Sequence, residues 1–271
     1  MKVLGIGDNV VDKYVHLNIM YPGGNALNFA VFAKQLGEEA SFLGTFGDDV
    51  EAGHVQQVLK ELQIDISRCR YESGENGCAR VTLENGDRVF LGSNEGGVSR
   101  LHPLKLTTED YEYIRKFAVM HTGLYSHTGH LLSDLRELGI PISFDFSDDF
   151  EQQQVDQHID KVDFAFFSCS HMTDEETHEF LKANYRRKGQ LLLATRGGDR
   201  AIAYNGQTYH YQTPILVEAV DTMGAGDSFI AAFLLKFLKE RDIHLAMAEG
   251  ARFAAKSCLV EGSFGYGVAC S

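Results

Sequence analysis

The sequence lacks any Cys-x-x-Cys pair: Cys69, Cys78, Cys169, Cys258 and Cys270 are scattered and odd in number. They suggest neither a disulfide framework nor a thiolate metal site, and they suit a reducing, cytoplasmic compartment. Basic clusters are missing as well. With 25 Lys and Arg against 38 Asp and Glu the net charge is −13, and nucleic acid, whose phosphates need local cations, is not an expected partner. No segment reaches the ~18 apolar residues needed to span a bilayer, and the apolar run after Met1 is too short for a signal peptide. No membrane partner is expected. Gly-x4-Gly-Lys-Ser/Thr is also absent, so a nucleotide would not be held by a P-loop. What is present is 44% hydrophobic residues in 271, enough for one large core and a single domain with a small appendage.

The most informative stretch is Asp221-Thr222-Met223-Gly224-Ala225-Gly226-Asp227-Ser228-Phe229. It follows the β-branched residues 215–220, which read as a strand, and precedes the apolar residues 229–235, which read as a buried helix. Gly224 and Gly226 permit close backbone approach, and the first N–H groups of a helix have no internal partner. That combination is an anion site. A carboxylate beside it, Asp227, repels an anion unless it is there to take a proton from a nucleophile. The competing reading is that Asp227 and Ser228 merely cap the helix.

Residues 3–6 read as a buried strand ending in Gly7-Asp8-Asn9-Val10-Val11-Asp12, with two aspartates at the edge where open α/β sheets bind ligands. Gly5-x-Gly7-x-x-Val10 lacks the third glycine of a dinucleotide fingerprint. Asp8 reads best as a capping or turn carboxylate. Pro22-Gly23-Gly24-Asn25-Ala26-Leu27-Asn28 opens a helix reaching residue 36, in which Asn28 is a polar intruder on an apolar face, structural or ligand-binding. Residues 40–46 read as a strand and 51–62 as a helix. Residues 78–83 and 88–91 flank Asn85-Gly86, a hairpin signal, and with residues 14–17 predict a small separate sheet. From residue 107 helix and strand alternate (108–117, 119–124, 131–138, 142–146, then strands at 163–167 and 191–194), the pattern of a parallel sheet covered on both faces. A last helix is expected over 245–259. His121, His127 and His130 fit no zinc spacing and suit neutral polar roles near a pocket.

Asp221-Thr222-x-Gly224-Ala225-Gly226-Asp227 and Gly23-Gly24-Asn25-x-x-Asn28 resemble the two signatures of the ribokinase-like (PfkB) carbohydrate kinases, and the order of segments agrees over essentially all 271 residues. The resemblance implies a three-layer αβα parallel-sheet domain over residues 1–271. It also implies a small β-sheet lid, formed by about 13–22 and 78–98, that closes over the sugar and is often shared in a homodimer. ATP, Mg2+ and a monovalent cation such as K+ are the implied cofactors. Asp227 would be the catalytic base, with Gly224, Ala225 and Gly226 as anion hole. Asp12, Gly24 and Asn28 would bind the sugar, with His127 facing it. Thr195, Gly197, Thr222, Gly224 and Gly226 would meet the nucleotide, closed off by the tail around 262–267. Arg196 and Arg200 depart from the pattern and would pair with ATP phosphates or stay solvated. Another departure is Ser168-Cys169-Ser170-His171, standing where many members have Asn-x-x-Glu. Asp145 and Glu175 are then the candidates for magnesium, against helix capping by Ser147 or Asp148 for the first stretch and a solvent-facing acid at a helix N-terminus for the second.

Gly7-Asp8-Asn9-Val10-Val11-Asp12, Asp87-Arg88-Val89-Phe90 and Phe144-Asp145-Phe146-Ser147-Asp148 are similar to members that phosphorylate O6 of fructosamines such as fructoselysine, ketoses whose C1 carries the amine of an amino acid. Such a cationic amine calls for an acid, and Glu95 is the candidate. A kinase for another ketose, an aldopentose or a nucleoside, and a non-catalytic sensor of the same fold, are the alternatives.

Overall fold

The computed structural model describes residues 1–84 and 87–270. The chain opens with β1 (Lys2–Gly7), β2 (Val10–Tyr14) and β3 (Ile19–Gly23), then α1 (Asn25–Gln35), β4 (Glu39–Phe46) and α2 (Val50–Glu61). β5 (Arg70–Tyr71), β6 (Gly77–Glu84) and β7 (Asp87–Ser93) follow, with short helices α3 (Val98–Leu101) and α4 (Thr108–Ile114). The middle of the chain alternates β8 (Val119–Gly123), α5 (Leu132–Arg136), β9 (Ile142–Asp145), α6 (Gln152–His158), β10 (Phe164–Ser168) and α7 (Asp174–Asn184). β11 (Leu191–Arg196), β12 (Asp199–Tyr204), β13 (Tyr209–Gln212), α8 (Ala225–Glu240), α9 (Ile243–Ser257) and β14 (Val268–Ala269) complete it.

Nine strands make one sheet in the order β13-β12-β11-β10-β9-β8-β1-β4-β5. Its central strands are apolar on both faces, as in β1, where every residue from Val3 to Gly7 is buried; strands covered by helices on both sides need that composition. Phe29, Phe32, Phe42 and Phe233 belong to the core on the side of α1 and α8, and Leu132, Phe144, Phe167 and Leu181 to the core on the other. The expected layering is therefore present. The sheet is parallel from β5 to β11, but β12 and β13 run antiparallel. Only Gly197 and Gly198 separate β11 from β12, and a two-residue link can only reverse the chain; Gly197 supplies φ 61° for it.

The second sheet has five strands, β14-β3-β2-β6-β7. β6 and β7 pair antiparallel as the hairpin signal predicts, while the turn Asn85-Gly86 itself lies outside the described residues. Two expectations fail here and in the approach to α8. Val15, His16 and Leu17 are an exposed turn rather than strand, closed by Leu17 N–H donating to Tyr14 O at 3.0 Å. Residues 215–220 form no strand either: Leu216 is 79% exposed, and the N–H groups of Val220 and Asp221 donate to Cys258 O at 2.8 and 3.2 Å. Their donors are used by the end of α9, not by a sheet edge. Among the described residues no helix is long and apolar enough to cross a membrane.

Candidate active site

The ends of β1, β8 and β9 and the starts of α1 and α8 converge on one place. α1 begins at Gly24, whose φ of 112° and approach to Asp8 (an added Cβ would lie 2.9 Å from Asp8 O) require glycine. The carboxylate of Asp8 accepts from Asn25 N at 2.6 Å and Ala26 N at 3.2 Å. It caps α1, as the capping reading expects.

α8 begins at Gly224 in the left-handed region, φ 71°, with Ser263 of the tail packed where a side chain would stand. No side chain caps this helix, and Asp227 lies in its first turn. Uncapped N–H donors, with the helix dipole behind them, suit a phosphoryl group.

The Asp227 carboxylate is held on both oxygens by amides of α1. Asn25 Nδ2 donates to Oδ1 at 2.8 Å, and Asn28 Nδ2 donates to Oδ2 at 2.6 Å and to Ser263 Oγ at 3.1 Å. Asn28, expected to be either structural or sugar-binding, holds Asp227; its own Oδ1 is buried without a hydrogen-bond partner. Asn25 was not among the expected residues, although its place three residues before Asn28 puts both on one helix face.

Asn25 Nδ2 also donates to Asp145 Oδ2 at 2.8 Å. Burial, and then the charge of Asp227, push the Asp145 carboxyl up to about 7. Magnesium keeps most of its shell in water and phosphate, so one or two carboxylates suffice for it, and Asp145 at the end of β9 fits that demand. Glu175 does not join it. Glu175 is exposed on the first turn of α7, and among the described residues no three His, Cys, Asp or Glu side chains gather as a metal cage.

His121 on β8 is fully buried, with Nδ1 2.8 Å from Ser143 Oγ and Nε2 3.1 Å from Asn25 Oδ1. Burial lowers its pKa to about 3, in line with the neutral role expected. His127 stands in the left-handed region with Nε2 3.2 Å from Glu95 O, and His130 is tied to Leu104 O at 3.0 Å. Asp12 is buried on β2 against Gly23, where a Cβ would come within 2.5 Å of its Oδ2. Glu95, the acid expected to be available to an amine, is exposed and ion-paired with Arg100.

Thr195 and Gly197 lie at the end of β11, two strands from β9 and so about 10 Å across the sheet. Arg196 neither faces phosphates nor stays solvated: it is buried, donates to Met172 O and pairs with Asp174. The residue type is explained by that anchoring of α7. Arg200 pairs with the same carboxylate and stacks over Tyr211 at 4.4 Å.

Asp221, also buried, is the hub of the loop. Its carboxylate accepts from Tyr14 Oη at 2.5 Å, Met223 N at 2.9 Å and Gly262 N at 2.8 Å. Strand β2, the signature loop and the tail meet on one side chain. A groove of about 430 Å³ lined by Lys13, Asp49, Glu51 and Arg80 among others is a different place: Lys13 alternates with Asp12 along β2 and points to the opposite face.

The model of the pfkB family of carbohydrate kinases matches residues 4–264. The chain belongs to that family. It is a carbohydrate kinase, 42% identical over 268 residues to fructosamine kinase FrlD of Bacillus subtilis (strain 168), covering 98% of this chain and 94% of the relative. It is 33% identical over 265 residues to fructoselysine 6-kinase of Escherichia coli (strain K12), covering 97% and 100%. The fold is ribokinase-like. A putative ribokinase from Agrobacterium tumefaciens superposes with a TM-score of 0.82 at 23% identity, covering 98% of this chain and 94% of that one. The ribokinase of Arabidopsis thaliana complexed with ribose and ATP gives 0.80 at 17%, with the same coverage.

Proposed function

We propose that this carbohydrate kinase transfers the γ-phosphoryl group of ATP to O6 of a fructosamine, fructoselysine or a close analogue. The carrying observation is the Asp227 carboxylate held on both oxygens beside the uncapped start of α8. In this reading O6 gives its proton to Asp227 as its bond to phosphorus forms and the bond from phosphorus to the ADP oxygen breaks. The amides from Gly224 to Asp227 stabilise the charge on the moving group, and catalysis is mainly positioning and electrostatics. Asp12, Gly24 and the open Oδ1 of Asn28 bind sugar hydroxyls. Asp145 would hold magnesium on the ATP phosphates, where the ion neutralises phosphate charge.

The exposed apolar stretch of Ile215, Leu216 and Val217 offers a surface for the adenine ring, with Thr195, Gly197 and Thr222 on the phosphate side. The five-stranded sheet acts as a lid. Its edge strand β7 exposes Phe90 and Leu91, which suits a second copy of the chain. Glu95 and Arg100, paired at the mouth beside His127, match the amine and carboxylate of a zwitterionic amino-acid end, a feature that free sugars lack.

A substrate panel tests the reading. Fructoselysine or another fructosamine is expected to give the highest kcat/KM, and a higher value for fructose or ribose rejects the substrate while leaving the kinase.

A further inference from the structure

We propose that His121 and Ser143 set the direction of the Asn25 amide and, through it, the position of the Asp227 carboxylate. The inference rests on the reading of Asp227 as the base and adds two positioning residues that cannot touch substrate, since both are 0% exposed.

An asparagine amide can present either end. Here its NH2 lies between two carboxylates, 2.8 Å from Asp145 Oδ2 and 2.8 Å from Asp227 Oδ1. Turned over, the amide would set its carbonyl oxygen against the Asp227 carboxylate, acceptor against acceptor. The element that selects the productive end is His121. Its Nε2 lies 3.1 Å from Asn25 Oδ1, and an oxygen can only accept, so Nε2 carries the proton. Nδ1 must then accept, and the Ser143 hydroxyl at 2.8 Å donates to it. Ser143, His121, Asn25 and Asp227 thus form a directed chain with every donor matched to an acceptor. The His121 ring packs, tilted, with its centroid 4.7 Å from that of Phe29 on the helix that carries Asn25, so the chain is held by packing as well as by hydrogen bonds. Burial supports the arrangement by keeping the ring neutral, since a doubly protonated ring could no longer accept from Ser143.

His121→Phe keeps a flat ring against Phe29 and removes the donor; Ser143→Ala removes the group that fixes the tautomer; His121→Gln restores a side chain able to donate. In the folded proteins, kcat is expected to fall about 10- to 100-fold for His121→Phe, the scale of a misplaced catalytic group, and less for Ser143→Ala. KM for ATP should stay within about twofold, because transition-state positioning rather than uniform binding is lost. His121→Gln should recover a substantial part of kcat. A merely structural histidine would lower thermal stability in all three without this split or rescue. Nitrogen NMR of the unmodified protein needs no variant and is expected to place the His121 proton on Nε2. A proton on Nδ1, or folded His121→Phe with kcat within about threefold of the parent, overturns the inference. Asp227→Asn is the control: if it is inactive while His121→Phe is normal, only the inference fails, and if it is active, the reading beneath it fails too.

Discussion

Asn28 Nδ2 donates to Asp227 Oδ2 at 2.6 Å while its Oδ1 remains buried and without a partner. One side chain thereby holds Asp227 and keeps a buried acceptor of its own. Asn28→Ala is expected to raise KM for the sugar and to lower kcat as well, whereas loss of a simple binding contact would change KM alone. Steady-state kinetics with unchanged kcat would detach Asn28 from the base.

Asp227→Asn preserves size and removes the proton acceptor. Turnover should drop by at least about 100-fold with sugar affinity by calorimetry little changed. A variant retaining half the parent kcat would remove Asp227 from the mechanism.

Asp145 makes stability depend on pH in a specific direction. Its carboxyl stays protonated in the fold up to about 7, while in the unfolded chain it ionises near the ordinary value of about 4. Between those values the unfolded chain binds fewer protons, so the Asp145 contribution falls as pH rises. Thermal melts without nucleotide or magnesium should show stability declining from pH 5 to pH 8, and Asp145→Asn should flatten that slope. An equal slope in the variant would refute the assignment.

Glu95→Gln leaves Arg100 without its partner and the mouth more cationic. The preference for a fructosamine over free fructose is expected to narrow, through a higher KM for the amine-bearing substrate. An unaltered ratio of kcat/KM values would place amine recognition elsewhere.

The local features of the site are legible in the sequence. Gly224 to Asp227 and Gly24 to Asn28 each lie within one helical turn, where spacing alone fixes which groups share a face. Asn25 is within reach by the same rule. The link from Ser143 through His121 is not, because His121 reaches Asn25 from β8, about a hundred residues away in sequence, and Ser143 reaches His121 from β9; only the strand order brings them there. Arg196 differs from expectation for a related reason: its partner Asp174 decides what its charge is free to do. The β-branched residues 215–220 carry strand propensity, but propensity does not say whether a sheet edge is open to receive them.

Asp221 is where three separate parts of the chain report to each other. Tyr14 of β2, Met223 of the signature loop and Gly262 of the tail all donate to its carboxylate. If β2 shifts as the sugar binds, the backbone of the signature loop feels that shift through Asp221, and the converse must hold to the same degree, since coupling between two ligands is reciprocal. Each substrate should tighten the other by the same factor. Tyr14→Phe cuts one strand of that communication, and titrating each substrate with and without the other should show the mutual enhancement shrink; an enhancement of full size would mean that the two halves of the site converse by another route.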